Sequence, residues 1–381
     1  MKCIINGKII FPDRVEDEKV LVFDTKIERF IDKVDFNAAD FDEVIDATGK
    51  FVSPGLIDMH IHGYLGADAS DGNEEGIRKM AAGIIKNGVT AWCPTTMTVS
   101  KKEIETAFDA VRAVKNSTGY YGARILGVNS EGPFINAKKK GAQAEEHILR
   151  PDADFIVTNS DIVKLFTVAP EVDGAKECIE KVTKNSDVLV SMGHTDASYE
   201  EAMAGIEAGV RHTTHLFNAM TALSHRSPGV SGAALSDSRV STELIADTFH
   251  VNKGLFNMVA KAKGSKLCLI TDCIRAGGME DGDYTLGGQP VHKEGIKCLM
   301  DDGTIAGSVL NLNDAVRNLY ENSELELFKA VNCASLNIAK TLKEDDEIGS
   351  LEKGKRADII IVDEKFNVEK VILGGDIKIG E

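Results

Sequence analysis

Two kinds of hydrophobic pattern divide the chain. At the start, short apolar runs at 3–5, 8–11, 20–24 and 27–31 are broken by turn residues such as Asn6-Gly7 and Asp24-Thr25. This is the pattern of β-strands joined by tight turns. The far end repeats it over 358–362 and 368–373, ahead of Gly374-Gly375. Neither end has enough apolar surface to close a core alone. The two are therefore expected to pair as one small β-sandwich domain, 1–52 with 345–381.

The middle is different. Largely apolar runs at 56–59, 89–93, 124–128, 163–168, 188–192, 213–217, 243–246 and 266–271 read as buried parallel strands covered on both faces. Helical spacing fills most of the intervals, for example 77–86, 102–115, 175–184 and 199–208. Eight strands, each followed by a crossover, predict an α/β fold with a (β/α)8 TIM-type barrel over 53–344. A doubly wound open sheet is the competing architecture, but no Gly-x-Gly-x-x-Gly follows the first strand. From 284 to 306, Gly-punctuated hairpins read as an insertion after the eighth strand, with closing helices near 313–320 and 325–340.

Composition narrows the function classes. The chain has 381 residues, ample for two domains, and carries 60 acids against 44 bases for a net charge of −16. That excess of acid argues against a nucleic-acid partner, which needs a cationic surface. An anionic small substrate stays open, because a few local cations outweigh distant, screened acids. No run approaches the ~20 apolar residues of a membrane span, and the apolar start is too short for a signal peptide. Seven scattered cysteines without a Cys-x-x-Cys pair suggest neither a disulfide framework nor a thiolate metal site. A soluble cytoplasmic protein is expected.

In such barrels the chemistry sits where strands end at the C-terminal rim. His60 and His62 are two residues apart on the first strand and so share a face. Glu131 follows the third strand, His194 the fifth, His215 lies in the sixth and Asp272 follows the eighth. Singly, a histidine in a strand is more often a core residue, and an aspartate after one a helix cap. Six such residues at the same end of five strands are better explained by a shared site, and imidazole with carboxylate suits Zn2+ or Fe2+. His147, His212, His225 and His292 have no positional argument for ligation. Lys138-Lys139-Lys140 reads as a solvated basic face, and Cys273 as a packing residue.

The motifs resemble a known family. The run from Val52 to Gly63, containing Pro54-Gly55-Leu56-Ile57-Asp58-Met59-His60-Ile61-His62, resembles the opening of the amidohydrolase superfamily, and the run from Gly349 to Asp358 its return strand. Glu131-Gly132-Pro133-Phe134, Gly193-His194-Thr195-Asp196-Ala197, Thr214-His215-Leu216-Phe217-Asn218-Ala219-Met220 and Ile305-Ala306-Gly307-Ser308 resemble its N-acetylglucosamine-6-phosphate deacetylases. The resemblance implies one ion on Glu131, His194 and His215, and a second on His60 and His62 sharing Glu131. It implies Asp272 as the catalytic acid/base at the metal. Arg226 and His250 match phosphate-side contacts, and Ala142, Gln143, Asn218, Ala219, Ala306, Gly307 and Ser308 match substrate-lining positions. It also implies a homodimer, with Arg226 and His250 supplied in cis or by the neighbouring subunit. Two departures stand out: Asn129 and Gln143 occupy positions where many relatives have histidine.

The implied reaction is metal-dependent hydrolysis of an acetamide. A divalent ion lowers the pKa of bound water to about 7 and polarises the carbonyl. Asp272 takes the proton and returns it to the departing sugar nitrogen. Three rivals remain. One is a deacetylase for the galactosamine isomer. Another is a cyclic-amide hydrolase bridged by a modified lysine ending the fourth strand, although that strand ends Val168-Ala169-Pro170. The third is an inactive barrel serving as a scaffold.

Overall fold

The computed structural model describes residues 1–119 and 121–380. Tyr120 and Glu381, inside the expected domain ranges, lie outside the described residues.

The terminal segments form two sheets. One has the order Ile27–Asp32, Lys19–Phe23, Lys2–Ile5, Glu43–Asp46. The other has the order Asp376–Ile379, Val368–Leu373, Ile359–Val362, Phe51–Pro54, Lys8–Ile10, Val15–Glu16, and so interleaves the two ends of the chain. Ile4, Leu21, Phe23, Ile45, Val52 and Ile372 share a buried cluster with Ile359 and Ile361. Ile360 and Val362, on the opposite face of their strand, join the main core instead. The two-residue alternation of a strand thus packs this sheet against both its sister sheet and the barrel.

Eight parallel strands form the barrel: Leu56–Ile61, Val89–Thr96, Val128–Phe134, Val163–Val168, Leu189–Met192, His212–Thr213, Ser241–Ile245 and Leu267–Ile270. Each pairs with the next in chain order. The segment after the last strand returns to the first: Asp272 N–H donates to His60 C=O and His62 N–H to Cys273 C=O, both at 2.9 Å. The barrel is nearly closed, and this seam brings Asp272 beside the His60/His62 pair.

The expected helices are found as Glu74–Ile84, Lys101–Asn116, Ala175–Asn185 and Tyr199–Ala208. Ser100 with Glu103, and Ser198 with Glu201, form capping boxes that start two of them. Three boundaries differ from expectation. The expected third strand is split: Arg124–Ile125 pairs in parallel with Val89–Thr96, and a second stretch starts at Val128 and runs through polar Asn129-Ser130-Glu131, which sequence patterning reads as loop but which the barrel rim buries. The sixth stops at Thr213, because His215 adopts φ +26° and turns the chain out of the sheet. The helix expected over 325–340 is two, Leu327–Cys333 and Leu336–Thr341, broken at Ser335 with φ −144° and ψ −88°. The insertion is a three-stranded antiparallel sheet, Gly282–Leu286, Gln289–Glu294 and Lys297–Leu299. Among the described residues, no helix is long and apolar enough to cross a membrane.

Candidate active site

Glu131 stands between two pairs of imidazoles. Its Oε1 lies 2.8 Å from His215 Nε2, 3.2 Å from His194 Nε2 and 3.4 Å from His60 Nε2. Its Oε2 lies 3.2 Å from His62 Nε2. Asp272 Oδ1 is 3.2 Å from His62 Nε2 and 3.5 Å from His60 Nε2. Two sets of ligand atoms, His60/His62/Glu131 and Glu131/His194/His215, each fall within 4.8 Å of one another. Six residues named from the sequence therefore converge, although they come from five strands.

The far side of each ring explains its aim. Nδ1 of His62 meets Thr95 C=O at 3.2 Å, that of His194 meets Lys139 C=O at 2.8 Å, and that of His215 meets Asn218 C=O at 3.2 Å. Nδ1 of His60 meets Glu243 Oε2 at 2.9 Å. Carbonyls and ionised carboxylates only accept, so each Nδ1 carries the proton, and in a neutral ring Nε2 then presents a lone pair. Those lone pairs face one another at 3.3 Å between His60 and His62, and at 3.2 Å between His194 and His215. Four converging lone pairs around a shared carboxylate fit a divalent cation.

Without a cation, the anions around the site favour protons on these rings, the positive charge that a divalent ion would displace. Burial disfavours a charged imidazole, yet Glu243 and Glu131 hold His60 up, to about 9. His62 and His215 are also raised against burial, by Glu131 and Asp272. Burial alone would push the carboxyls of Glu131 and Asp272 up, but the surrounding imidazoles bring both below the usual carboxylate range. Both acids are thus anionic, and the site has a strong appetite for positive charge.

Strained backbone presents these groups. His194, His215 and Asp272 have φ of +49°, +26° and +51°, a region side-chain-bearing residues seldom occupy. Gly132, directly after Glu131, has φ +96°, and a Cβ there would lie 2.1 Å from Thr98 Oγ1. The strand can bend at this point only because the residue is glycine.

The site opens into a cavity of about 400 Å³. Ala142, Gln143, Asn218, Ala219, His250 and Gly307 border it together with His62, Glu131, His194, His215 and Asp272. His60 lies beneath the floor, fully buried. Ala306 and Ser308, expected to line substrate, flank Gly307 without bordering the cavity. Ala306 N–H bonds to Cys298 C=O, and Ser308 spends its hydroxyl on Thr271 C=O and its N–H on Asp272 C=O. They hold the seam rather than face the cavity. Arg226 sits in an exposed loop and does not border the cavity of its own chain. Asn129, at one of the two departures, is buried and donates to Met59 C=O at 3.3 Å.

Sequence reasoning passed over several residues. Lys138 and Lys139, read as a solvated face, border the cavity, and the Lys139 side chain is 31% exposed. Glu243 and His212, 3.1 Å apart behind His60, were also missed. A signal existed for Glu243, the sole charged residue in the strand Ser241–Ile245.

Comparison with known proteins places this geometry. A profile of the amidohydrolase family matches residues 51–378. The chain is 35% identical over 377 residues to the N-acetylglucosamine-6-phosphate deacetylase of Lysinibacillus sphaericus, covering 96% of this chain and 94% of that one. It is 34% identical to the N-acetylgalactosamine-6-phosphate deacetylase of Escherichia coli O157:H7, covering 88% and 89%. The crystal structure of the N-acetylglucosamine-6-phosphate deacetylase from Pasteurella multocida superposes with a TM-score of 0.94 at 29% identity over the whole of both chains. A mutant of the Mycobacterium smegmatis enzyme, in complex with N-acetyl-D-glucosamine-6-phosphate, gives 0.91 at 27% identity, covering 99% of each chain. By its sequence and its fold alike, the chain belongs to the amidohydrolase family.

Proposed function

We propose that this chain hydrolyses the N-acetyl group of N-acetylglucosamine 6-phosphate to glucosamine 6-phosphate and acetate, a step of amino-sugar catabolism or recycling. One observation carries the reading: Glu131 sits between two imidazole pairs with Asp272 alongside, at the floor of a cavity of about 400 Å³. Such a volume suits a small polar ligand, and the relatives described above carry deacetylase names.

His60, His62 and Glu131 would hold one divalent ion, and Glu131, His194 and His215 another, with Asp272 adjoining; Zn2+ and Fe2+ suit the donors. When bound, such an ion supplies Lewis acidity for both the water and the amide carbonyl. The remaining work belongs to the chain. Water adds to the carbonyl carbon, and Asp272, ionised among imidazoles, accepts its proton at a carboxylate oxygen. The C–N bond then breaks, and Asp272 returns the proton to the sugar nitrogen, sparing an anionic amine leaving group. Gln143 and Asn218 border the space where the acetamide would lie.

At the phosphate end, His250 presents a ring already held through Nδ1 by Asp247 at 2.6 Å. Lys139 borders the same cavity, its Nζ 3.7 Å from Asp196 Oδ1, and would add a cation from the same chain. The exposed loop position of Arg226 suits delivery into a neighbouring subunit's cavity, as in a homodimer. A cytoplasmic setting goes with this reading, and all seven cysteines are free and buried, as suits a reducing compartment.

The test is acetate release by the purified, metal-analysed protein from N-acetylglucosamine 6-phosphate, its galacto isomer and the unphosphorylated sugar. Preference for the first is expected. Preference for the galacto isomer, the substrate in the name of a relative of nearly equal identity, would move the assignment to that sugar. No release from any of the three would refute it.

A further inference from the structure

Glu243, a carboxylate with no part in the proposed proton transfers, lies behind the two imidazole pairs. It is the one charged residue of the seventh barrel strand and is fully buried. Its Oε2 accepts from His60 Nδ1 and from the backbone N–H of His215, each at 2.9 Å. Its Oε1 lies 3.1 Å from His212 Nε2, and His212 Nδ1 lies 2.6 Å from Ser241 Oγ. A buried carboxylate is costly unless donors surround it. Here three converge on it.

We propose that Glu243 is a positioning residue that sets the affinity of the His60 side of the centre for a divalent cation and ties that side to His215. The proposal rests on reading the histidines and Glu131 as metal ligands. Two physical differences single Glu243 out. His62, His194 and His215 lean on neutral carbonyls, whereas His60 alone leans on a carboxylate. A charge-assisted bond at Nδ1 makes the opposite nitrogen a stronger donor to a metal. The same oxygen also holds the backbone N–H of His215, where φ is +26°. One carboxylate therefore braces a ligand from the first strand and a strained ligand from the sixth. The two rings stand 5.6 Å apart between centroids.

The experiment titrates full-length metal-free protein with Zn2+ against a chromophoric chelator, alongside the thermal midpoint of the metal-free state. Glu243→Gln keeps the size and an acceptor oxygen but loses the charge; Glu243→Asp keeps the charge but is shorter. The expected affinity order is wild type, then Asp, then Gln. Glu243→Gln should weaken at least one bound ion by roughly 10–100-fold, with little change in the metal-free midpoint. In a His60→Ala background the same substitution should change affinity by a smaller factor than in the wild type, because only its hold on the backbone N–H of His215 remains. Wild-type affinity in Glu243→Gln, or an undiminished effect in the His60→Ala background, would overturn the role of Glu243 while leaving the metal reading intact. A wild-type protein that takes up no ion would overturn both.

Discussion

The side-chain amide of Gln143 donates from Nε2 to Glu131 Oε2 at 2.7 Å, while its Oε1 accepts the N–H of Thr98 at 2.5 Å. Both partners are of fixed polarity, a carboxylate that accepts and a backbone N–H that donates, so the amide has one orientation. Gln143 thus steadies the carboxylate shared by the two imidazole pairs. Gln143→Glu would set a second carboxylate against Glu131. We expect kcat to fall at least tenfold, with metal content altered, read by acetate release and metal analysis on the same preparation. Unchanged kcat would mean that this contact does not matter to turnover.

Asp272 is held in place at both of its backbone polar groups, its N–H on His60 C=O and its C=O on Ser308 N–H. Asp272→Asn therefore changes the side chain without freeing the segment. An amide cannot take the proton from water, so turnover should drop by roughly 10²–10⁴-fold. Metal content should stay near wild type, since the imidazoles and Glu131 remain. Near-normal turnover would remove the acid/base role.

The phosphate end yields a comparison of two cations. Lys139→Met should raise KM for the phosphorylated sugar well beyond its effect on the unphosphorylated one. Its backbone C=O still holds His194 Nδ1, so kcat should change little. Arg226→Ala should show the same substrate-dependent split if Arg226 reaches a neighbouring cavity, and mixing it with an otherwise inactive Asp272→Asn chain should then restore part of the lost affinity. Equal effects of either variant on both substrates would exclude that residue from phosphate contact.

Lys263 gives a pH dependence of stability. Its Nζ donates to Ala234 C=O at 2.6 Å and to Asp237 C=O at 3.0 Å in a buried position, and burial brings its pKa down from 10.5 to about 8. In the unfolded chain the ordinary value returns. Between about 8 and 10.5 the folded form therefore binds fewer protons than the unfolded one, and stability should rise with pH across that window. Below about 8 both forms are protonated and the cost of the buried charge is fully present. Lys263→Met should flatten this contribution in denaturant unfolding followed over the same pH range. A slope identical to wild type would show that Lys263 is not its source.

Much of this was legible in the sequence. Short, largely apolar runs such as 163–168 fit strands covered on both faces, and their spacing leaves room for crossover helices. The ligand positions were legible for a related reason: a strand end fixes which rim of the barrel a residue occupies, so His60, His62, Glu131, His194, His215 and Asp272 could be grouped before any contact was known. Arg226, Ala306 and Ser308 were harder, because nothing in local pattern says whether a loop side chain turns toward the cavity or spends its bonds elsewhere.

What the chain determined alone was periodicity, and periodicity decides which residues share a face and which end of a strand they occupy. Only the tertiary structure decided the partners across the barrel: the carbonyl or carboxylate behind each imidazole, Gln143 on Glu131, and Glu243 joining His60 to His215. Apart from Asn218 C=O behind His215, three positions on, those contacts link residues from 12 to 183 positions apart. Hydrogen-bond geometry at such separations depends on how the strands close on one another, which local hydrophobic pattern does not encode.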